Sequence, residues 1–110
     1  MLRRDPHDAA GRYALGLSLL RQRRTGDALT QLREAVQQAP ANARYAYVDA
    51  LALDAAGRDG AAIKLLEAAR RHHPDDRDLL RALVACARRL PDPARANEAA
   101  ARLVRLDALH

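Results

Sequence analysis

The feature that most constrains the fold is a repeat of 34 residues. Three of the five prolines lie 34 residues apart, and sliding the chain by the same interval brings small and apolar residues into columns. The clearest columns are Pro6, Pro40 and Pro74; Ala28, Ala62 and Ala96; Leu32, Leu66 and Ala100; and Leu19, Leu53 and Ala87. A fixed period of this length is typical of repeat proteins, in which each copy forms one structural unit.

Each copy has the pattern of two helices. Apolar and small residues recur at the spacing of one helical face, as in the stripe of Leu15, Gly16 and Leu19. The expected helix ends carry suitable residues: Asn42, Asp76 and Asp92-Pro93 at N-termini, and Gly57 at a C-terminus. We predict helices near residues 9–22, 26–39, 43–56, 59–72, 76–89 and 93–107. The loops between them are short, which makes neighbouring helices antiparallel.

The composition agrees with an all-α fold and excludes several other classes. Apolar residues make up 49% of the chain but aromatic residues only 3%, so the core must consist mainly of Ala and Leu. Helices pack well with these residues, whereas a β-sandwich draws on β-branched and aromatic ones. A single cysteine cannot form an internal disulfide, a four-thiolate zinc site or a CxxCH haem attachment. The first residues lack the apolar stretch of a signal peptide, and no run of 18 apolar residues occurs, so we expect no membrane partner. The missing haem and metal-ligand patterns predict no cofactor.

The columns resemble the tetratricopeptide repeat (TPR) family. That family has a 34-residue period, a Leu-Gly pair in its first helix, an Ala followed four positions later by Phe in its second, and a closing proline. Leu15-Gly16, Ala28 with Leu32, and Pro40 match in the first copy. The resemblance implies an all-α, right-handed α-solenoid of three antiparallel helix pairs. The implied single domain consists of a tail of a preceding repeat (1–8), repeat 1 (9–42), repeat 2 (43–76) and a divergent repeat 3 (77–110).

The resemblance also implies a function, because TPR modules hold a peptide or a partner helix in a concave groove lined by the first helix of each repeat. Those helices carry a second stripe, separate from the core stripe, that contains residue types enriched at binding hot spots. The predicted groove residues are Tyr13, Leu17, Arg44, Tyr47, Leu51, Arg81 and Arg88. Stacking the repeats aligns Tyr13, Tyr47 and Arg81 in one row. We therefore predict a non-catalytic protein–protein interaction module whose partner has apolar anchors and acidic groups. The structural alternative is that the tyrosines only wedge adjacent helices apart.

Two other functions stay open. The net charge of +5 and the clustered arginines are compatible with nucleic-acid binding. Interleaved acidic residues and the scarcity of aromatic stacking platforms rank that reading below a protein partner. The stretch 43–80 also resembles, more loosely, TPR segments attached to bacterial multihaem cytochromes, which would make the chain an accessory part of a periplasmic redox protein. The compartment is therefore open: cytoplasmic as written, or periplasmic if the chain comes from an exported parent.

Three polar positions could carry chemistry. Asp49 stands on the predicted core stripe where the family usually has Leu, which indicates either a hydrogen-bonded structural role or a locally rotated helix. Cys86 aligns with small residues and is expected to fill a narrow space between helices. His72-His73 lies beside acidic residues but has no third ligand at a suitable spacing for a metal. We predict no metal site, no catalytic residues and no enzyme activity.

The last helix of the chain raises the question of what covers it. A repeat of this kind cannot bury its apolar face alone, so the end of a stack needs a cover. The sequence stops shortly after the sixth predicted helix, and Leu103, Val104 and Leu106 are expected to lack one. We therefore predict that the chain self-associates through these residues.

Overall fold

The computed structural model describes residues 8–90 and 94–109, which form six α-helices and no strand. The helices are α1 (Ala9–Arg21), α2 (Thr25–Gln38), α3 (Ala43–Ala55), α4 (Asp59–Arg70), α5 (Arg77–Ala87) and α6 (Ala94–Ala108). This confirms the predicted all-α helical repeat, and the helix ends differ from prediction by two residues at most. The predicted cap at Asp92-Pro93 and residues 1–7 lie outside the described residues.

The helix ends follow from the local sequence. Asn42 and Asp76 act as the predicted N-caps: their side chains accept hydrogen bonds from the backbone N–H groups of Tyr45 at 3.1 Å and Leu79 at 3.0 Å. Such a cap stabilises a helix by about 1 kcal/mol. Gly57 follows the C-terminus of α3 with a φ of 80°, which glycine adopts without steric cost. The predicted stop at this residue is therefore confirmed.

Arg23 occupies the place of Gly57 one repeat earlier and has the same kind of backbone. Its φ of 60° makes it the only non-glycine residue with a positive φ among those described. A side chain in this left-handed region costs about 1–2 kcal/mol relative to the ordinary helical region. The loop between α1 and α2 therefore has the geometry of the loop between α3 and α4 without the residue that suits it.

The helices pack as successive pairs, α1 on α2, α3 on α4 and α5 on α6. Each pair also packs on the next, through α2 on α3, α4 on α5 and α3 on α5. One continuous cluster of buried residues, mainly Leu and Ala, spans α3 to α6. In the first pair, a Cβ added to Gly16 would lie 2.7 Å from the side chain of Leu32, so α1 and α2 approach too closely for any larger residue. No described helix is both long and apolar enough to cross a bilayer.

The sixth helix is held by apolar packing on α5 and by ion pairs along its sides. Only Ala96 and Ala99 of α6 are fully buried, although Leu103 and Leu106 also pack against the core. Ion pairs join the perimeter of α6 to α4, to α5 and to the loop between them. They are Arg70–Glu98 at 3.3 Å, Arg95–Glu67 at 3.7 Å, Arg77–Asp107 at 3.2 Å, and Arg102–Asp75.

Candidate functional site

Three predicted groove residues share one face of α3. Arg44, Tyr47 and Leu51 are spaced at i, i+3 and i+7, so their side chains lie one above another along the helix. The guanidinium carbon of Arg44 is 5.6 Å from the centroid of the Tyr47 ring, which is the geometry of a cation–π contact. Tyr47 is half-buried against the core, whereas Leu51 is 41% exposed. This face presents a large apolar side chain next to a guanidinium that is already positioned.

The groove residues predicted on the other two first helices are accessible to different degrees. Arg81 of α5 and Arg88, the residue that follows this helix, are exposed, and α5 packs directly on α3. Arg81 pairs with Asp78 on its own helix at 3.6 Å. Leu17, on α1, is half-buried. Basic groups therefore lie on the helix next to the face of Arg44, Tyr47 and Leu51.

Tyr13 has a partner that the sequence did not indicate. The repeat alignment places it in a row with Tyr47, but its ring stacks on Tyr45, with centroids 4.5 Å apart and planes at 27°. Tyr45 and Tyr47 point about 160° apart around α3. Tyr45 therefore faces the first repeat, whereas Tyr47 packs against the core cluster of α3 to α6. This stacking is the kind of inter-helix packing that the sequence left as an alternative role for the tyrosines, and the groove role of Tyr13 stays a prediction. The only sequence signal for the stacking was a second tyrosine two residues before Tyr47.

A network of charged side chains lies where α3 and α5 end and α4 begins. Arg89 pairs with Asp54 and lies 3.9 Å from Asp59. The hydrogen bond from Arg89 lowers the pKa of Asp54, and the hydrogen bond with Asp54 raises the pKa of Asp59. Cys86 is buried beside them, and burial followed by the nearby Asp54 charge raises its pKa to about 11. Because the thiolate is the reactive form, the raised pKa makes this thiol unreactive at neutral pH. Its burial agrees with the predicted packing role between helices.

His73 connects two loops. The Nε2 atom of His73 contacts the backbone carbonyl oxygen of Ala41, which connects the end of α4 to the loop before α3. The rings of His72 and His73 are 6.4 Å apart and tilted. Among residues 8–90 and 94–109, no group of three or more His, Cys, Asp or Glu side chains is placed to hold a metal ion.

Asp49 lies at a cleft that sequence reasoning missed. Its side chain is buried, with 4% of the residue exposed, and its Oδ1 atom has no hydrogen-bond partner among the described residues. Burial raises the pKa of Asp49 to about 6, against the opposing charge of Arg33. Ala46 and Ala50 are buried beside it as predicted, so α3 is not locally rotated. The hydrogen-bonded alternative is not met at Oδ1, which is buried without a partner among the described residues.

The cleft has a volume of about 530 Å³ and lies between α2, α3 and α4. Its lining includes the apolar residues Leu29, Leu53 and Leu65 and the cations Arg33 and Arg58, with Asp49 between them. The only sequence signal for it was a carboxylate at a position where a core leucine was expected.

The three residues predicted to mediate self-association differ in environment. Leu103 and Leu106 are half-buried and pack against the core cluster, so the expectation that they lack a cover is wrong for these two. Their positions on α6 turn them toward α5. Val104 is 68% exposed and faces away from the core. Self-association through this helix stays a prediction, and its exposed apolar group is Val104.

Comparisons with known proteins agree with this geometry. A family model described as tetratricopeptide repeat matches residues 2–43 and 13–66, together more than half of the chain. A MamA RS-1 ArsTM double mutant is similar, with a TM-score of 0.84 and 26% identity over 94% of this chain and 58% of that one. The Sgt2 TPR domain from Aspergillus fumigatus gives a TM-score of 0.80 and 21% identity over 94% and 68%. The chain thus spans 58% of the MamA chain. Comparison with curated proteins gives no match.

Proposed function

Because the chain belongs to the tetratricopeptide repeat family, whose members are generally non-catalytic protein–protein interaction modules, we propose that its first helices α1, α3 and α5 form a concave groove that binds a peptide or a partner helix. The proposed ligand offers apolar anchors and acidic side chains. The residues proposed to contact it are Tyr13 and Leu17 on α1, Arg44, Tyr47 and Leu51 on α3, Arg81 on α5, and Arg88 directly after α5.

The observation that carries the proposal is the arrangement of Arg44, Tyr47 and Leu51. A leucine that is 41% exposed beside a half-buried aromatic ring is an apolar surface whose burial by a partner is favourable. The Arg44 guanidinium already lies against that ring, so its side chain loses little freedom when it donates hydrogen bonds to a carboxylate of the ligand. Apolar contact and charge recognition thus occur within one face of one helix.

The ion pairs favour a protein partner over nucleic acid. A phosphate-binding surface needs cations that are free to replace counterions. Several of the arginines that suggested such a surface are instead paired with carboxylates, as in Arg24–Asp27 at 2.6 Å, Arg77–Asp107 at 3.2 Å and Arg89–Asp54. The looser resemblance to segments of bacterial multihaem cytochromes stays a prediction.

The test begins with peptides selected from a random display library against the intact protein. We expect the selected peptides to contain leucine-like anchors and acidic residues, and the double variant Leu51→Ser with Arg81→Gln to bind them at least about tenfold more weakly. The matched control is Leu109→Ser with Arg105→Gln, which makes the same chemical changes at two exposed positions outside the proposed groove. Equal loss of affinity in both double variants, or in neither, contradicts the groove assignment.

A salt series separates the peptide from the nucleic-acid reading. A protein that contacts 6–10 phosphates loses roughly 10³–10⁵ in affinity between 50 and 200 mM salt. Binding to an anchored acidic peptide involves few charges, and we expect it to weaken by about tenfold or less over that range. Single-stranded RNA that binds more tightly than the selected peptides, with a steep salt dependence, would favour the nucleic-acid function.

A further inference from the structure

The cleft at Asp49 opens on the side of α3 that faces away from the groove. Successive residues of a helix are about 100° apart, so Asp49 points about 160° away from both Tyr47 and Leu51. The cleft is lined by α2 and α4, which are the second helices of repeats 1 and 2, together with α3. Any ligand in it is therefore separate from a ligand in the concave groove.

The carboxylate of Asp49 is the unusual feature of this cleft. A buried charged group costs free energy unless it is paired or hydrogen-bonded, yet Oδ1 has no partner among the described residues. The surrounding volume of about 530 Å³ lies within the range of ligand-binding sites. The site thus combines room for a ligand with a lining carboxylate whose buried Oδ1 atom has no partner among the described residues.

The lining of the cleft restricts what that donor can be attached to. Leu29, Leu53 and Leu65 form an apolar wall that suits the methylene stem of a long side chain. Arg33 and Arg58 also line the cleft, and neither forms a salt bridge with a described residue. These two cations repel a purely basic ligand and attract carboxylates placed near its basic group.

We propose that this cleft is a second binding site, which accepts a lysine or arginine side chain from a segment of a partner protein in which acidic residues flank the basic one. The ammonium or guanidinium group donates to Asp49, the aliphatic stem lies along the leucines, and the flanking carboxylates pair with Arg33 and Arg58. The site selects this pattern because a basic residue without acidic neighbours meets like charge at both arginines.

The test uses a capped peptide with a central lysine, a glutamate on each side and glycines beyond them, so that it lacks the leucine anchors proposed for the groove. It is titrated into the isotope-labelled protein and followed by NMR. We expect shifts for residues around Asp49, and a loss of affinity of about thirtyfold or more in Asp49→Asn. A peptide with norleucine in place of lysine keeps the stem and removes the charge, and we expect it not to bind. Asp49→Leu, which restores the residue usual in the family, is expected to fold and not to bind.

Two controls make the result specific. Arg33→Gln should weaken binding of the glutamate-flanked peptide and leave binding of an alanine-flanked lysine peptide unchanged or stronger. Leu51→Ser, in the groove, should leave this peptide's affinity unchanged, so that failure of the groove and failure of the cleft are distinguishable. The proposal is overturned if Asp49→Asn binds the lysine peptide as tightly as the original protein, or if the norleucine peptide binds equally well.

Discussion

Protonation of Asp49 should stabilise the fold, because the pKa of this carboxyl rises from an ordinary value of 3.8 to about 6 on burial. The folded state then binds more protons than the unfolded state in this interval, so its stability falls as pH rises. A difference of about two pKa units between the folded and unfolded states corresponds to about 3 kcal/mol in the free energy of unfolding. About half of this stability is lost between pH 5 and pH 8. The contribution is fully present below pH 3.8 and is lost as pH rises through 6.

The assay is urea unfolding followed by circular dichroism, from pH 3.5 to pH 8, for the original protein and for Asp49→Asn. The asparagine has nearly the same shape and does not titrate, so the difference between the two free energies of unfolding isolates this carboxyl from the other acidic groups. We expect the original protein to lose about 3 kcal/mol relative to the variant over the whole range. A difference that is constant with pH would show that Asp49 is solvated in the folded state, and would refute the reasoning.

Three further predictions concern stability and reactivity. Arg23→Gly should raise the free energy of unfolding by about 1 kcal/mol, because glycine adopts a φ of 60° without strain. Gly57→Ala should lower it by a similar amount, so the melting temperatures of the two variants should shift in opposite directions. Gly16→Ala should destabilise by about 1–3 kcal/mol, measured by urea unfolding, because the added methyl group would lie 2.7 Å from a core side chain. Cys86, with a pKa of about 11, should react with a disulfide reagent at neutral pH far more slowly than a free thiol, and urea should restore the rate; rapid reaction of the folded protein would contradict its burial.

The 34-residue period predicted the fold well because the interactions that form each helix pair lie within one repeat. The cap at Asn42, the stop at Gly57 and the close approach at Gly16 are local features, set by residues only a few positions apart or by one helix pair. The contacts between repeats were less predictable. Aligning repeats shows which positions are equivalent but does not show how one repeat is rotated against the next. The first two repeats are arranged so that the ring of Tyr13 stacks on Tyr45, and not on Tyr47, its equivalent in the repeat alignment.

The candidate sites were predictable to different extents. The exposed face of Arg44, Tyr47 and Leu51 follows from helical spacing, so its positions were available from the sequence, although its ligand remains a proposal. The cleft at Asp49 depends on the space between α2 and α4, which are distant in sequence. The sequence showed only that a carboxylate replaced an apolar residue, which does not reveal whether neighbouring side chains would close around it.

The way in which α6 is attached has a consequence for how the molecule opens. Four arginine–carboxylate pairs accompany an apolar contact in which Ala96 and Ala99 are fully buried and Leu103 and Leu106 are half-buried. Exposed pairs of this kind contribute little individually and are weakened by added salt. Transient detachment of the sixth helix should therefore need less free energy than global unfolding, and ionic strength should control its frequency. In hydrogen exchange, the α6 amides would lose protection first as salt is added, while those of α3 to α5 keep theirs.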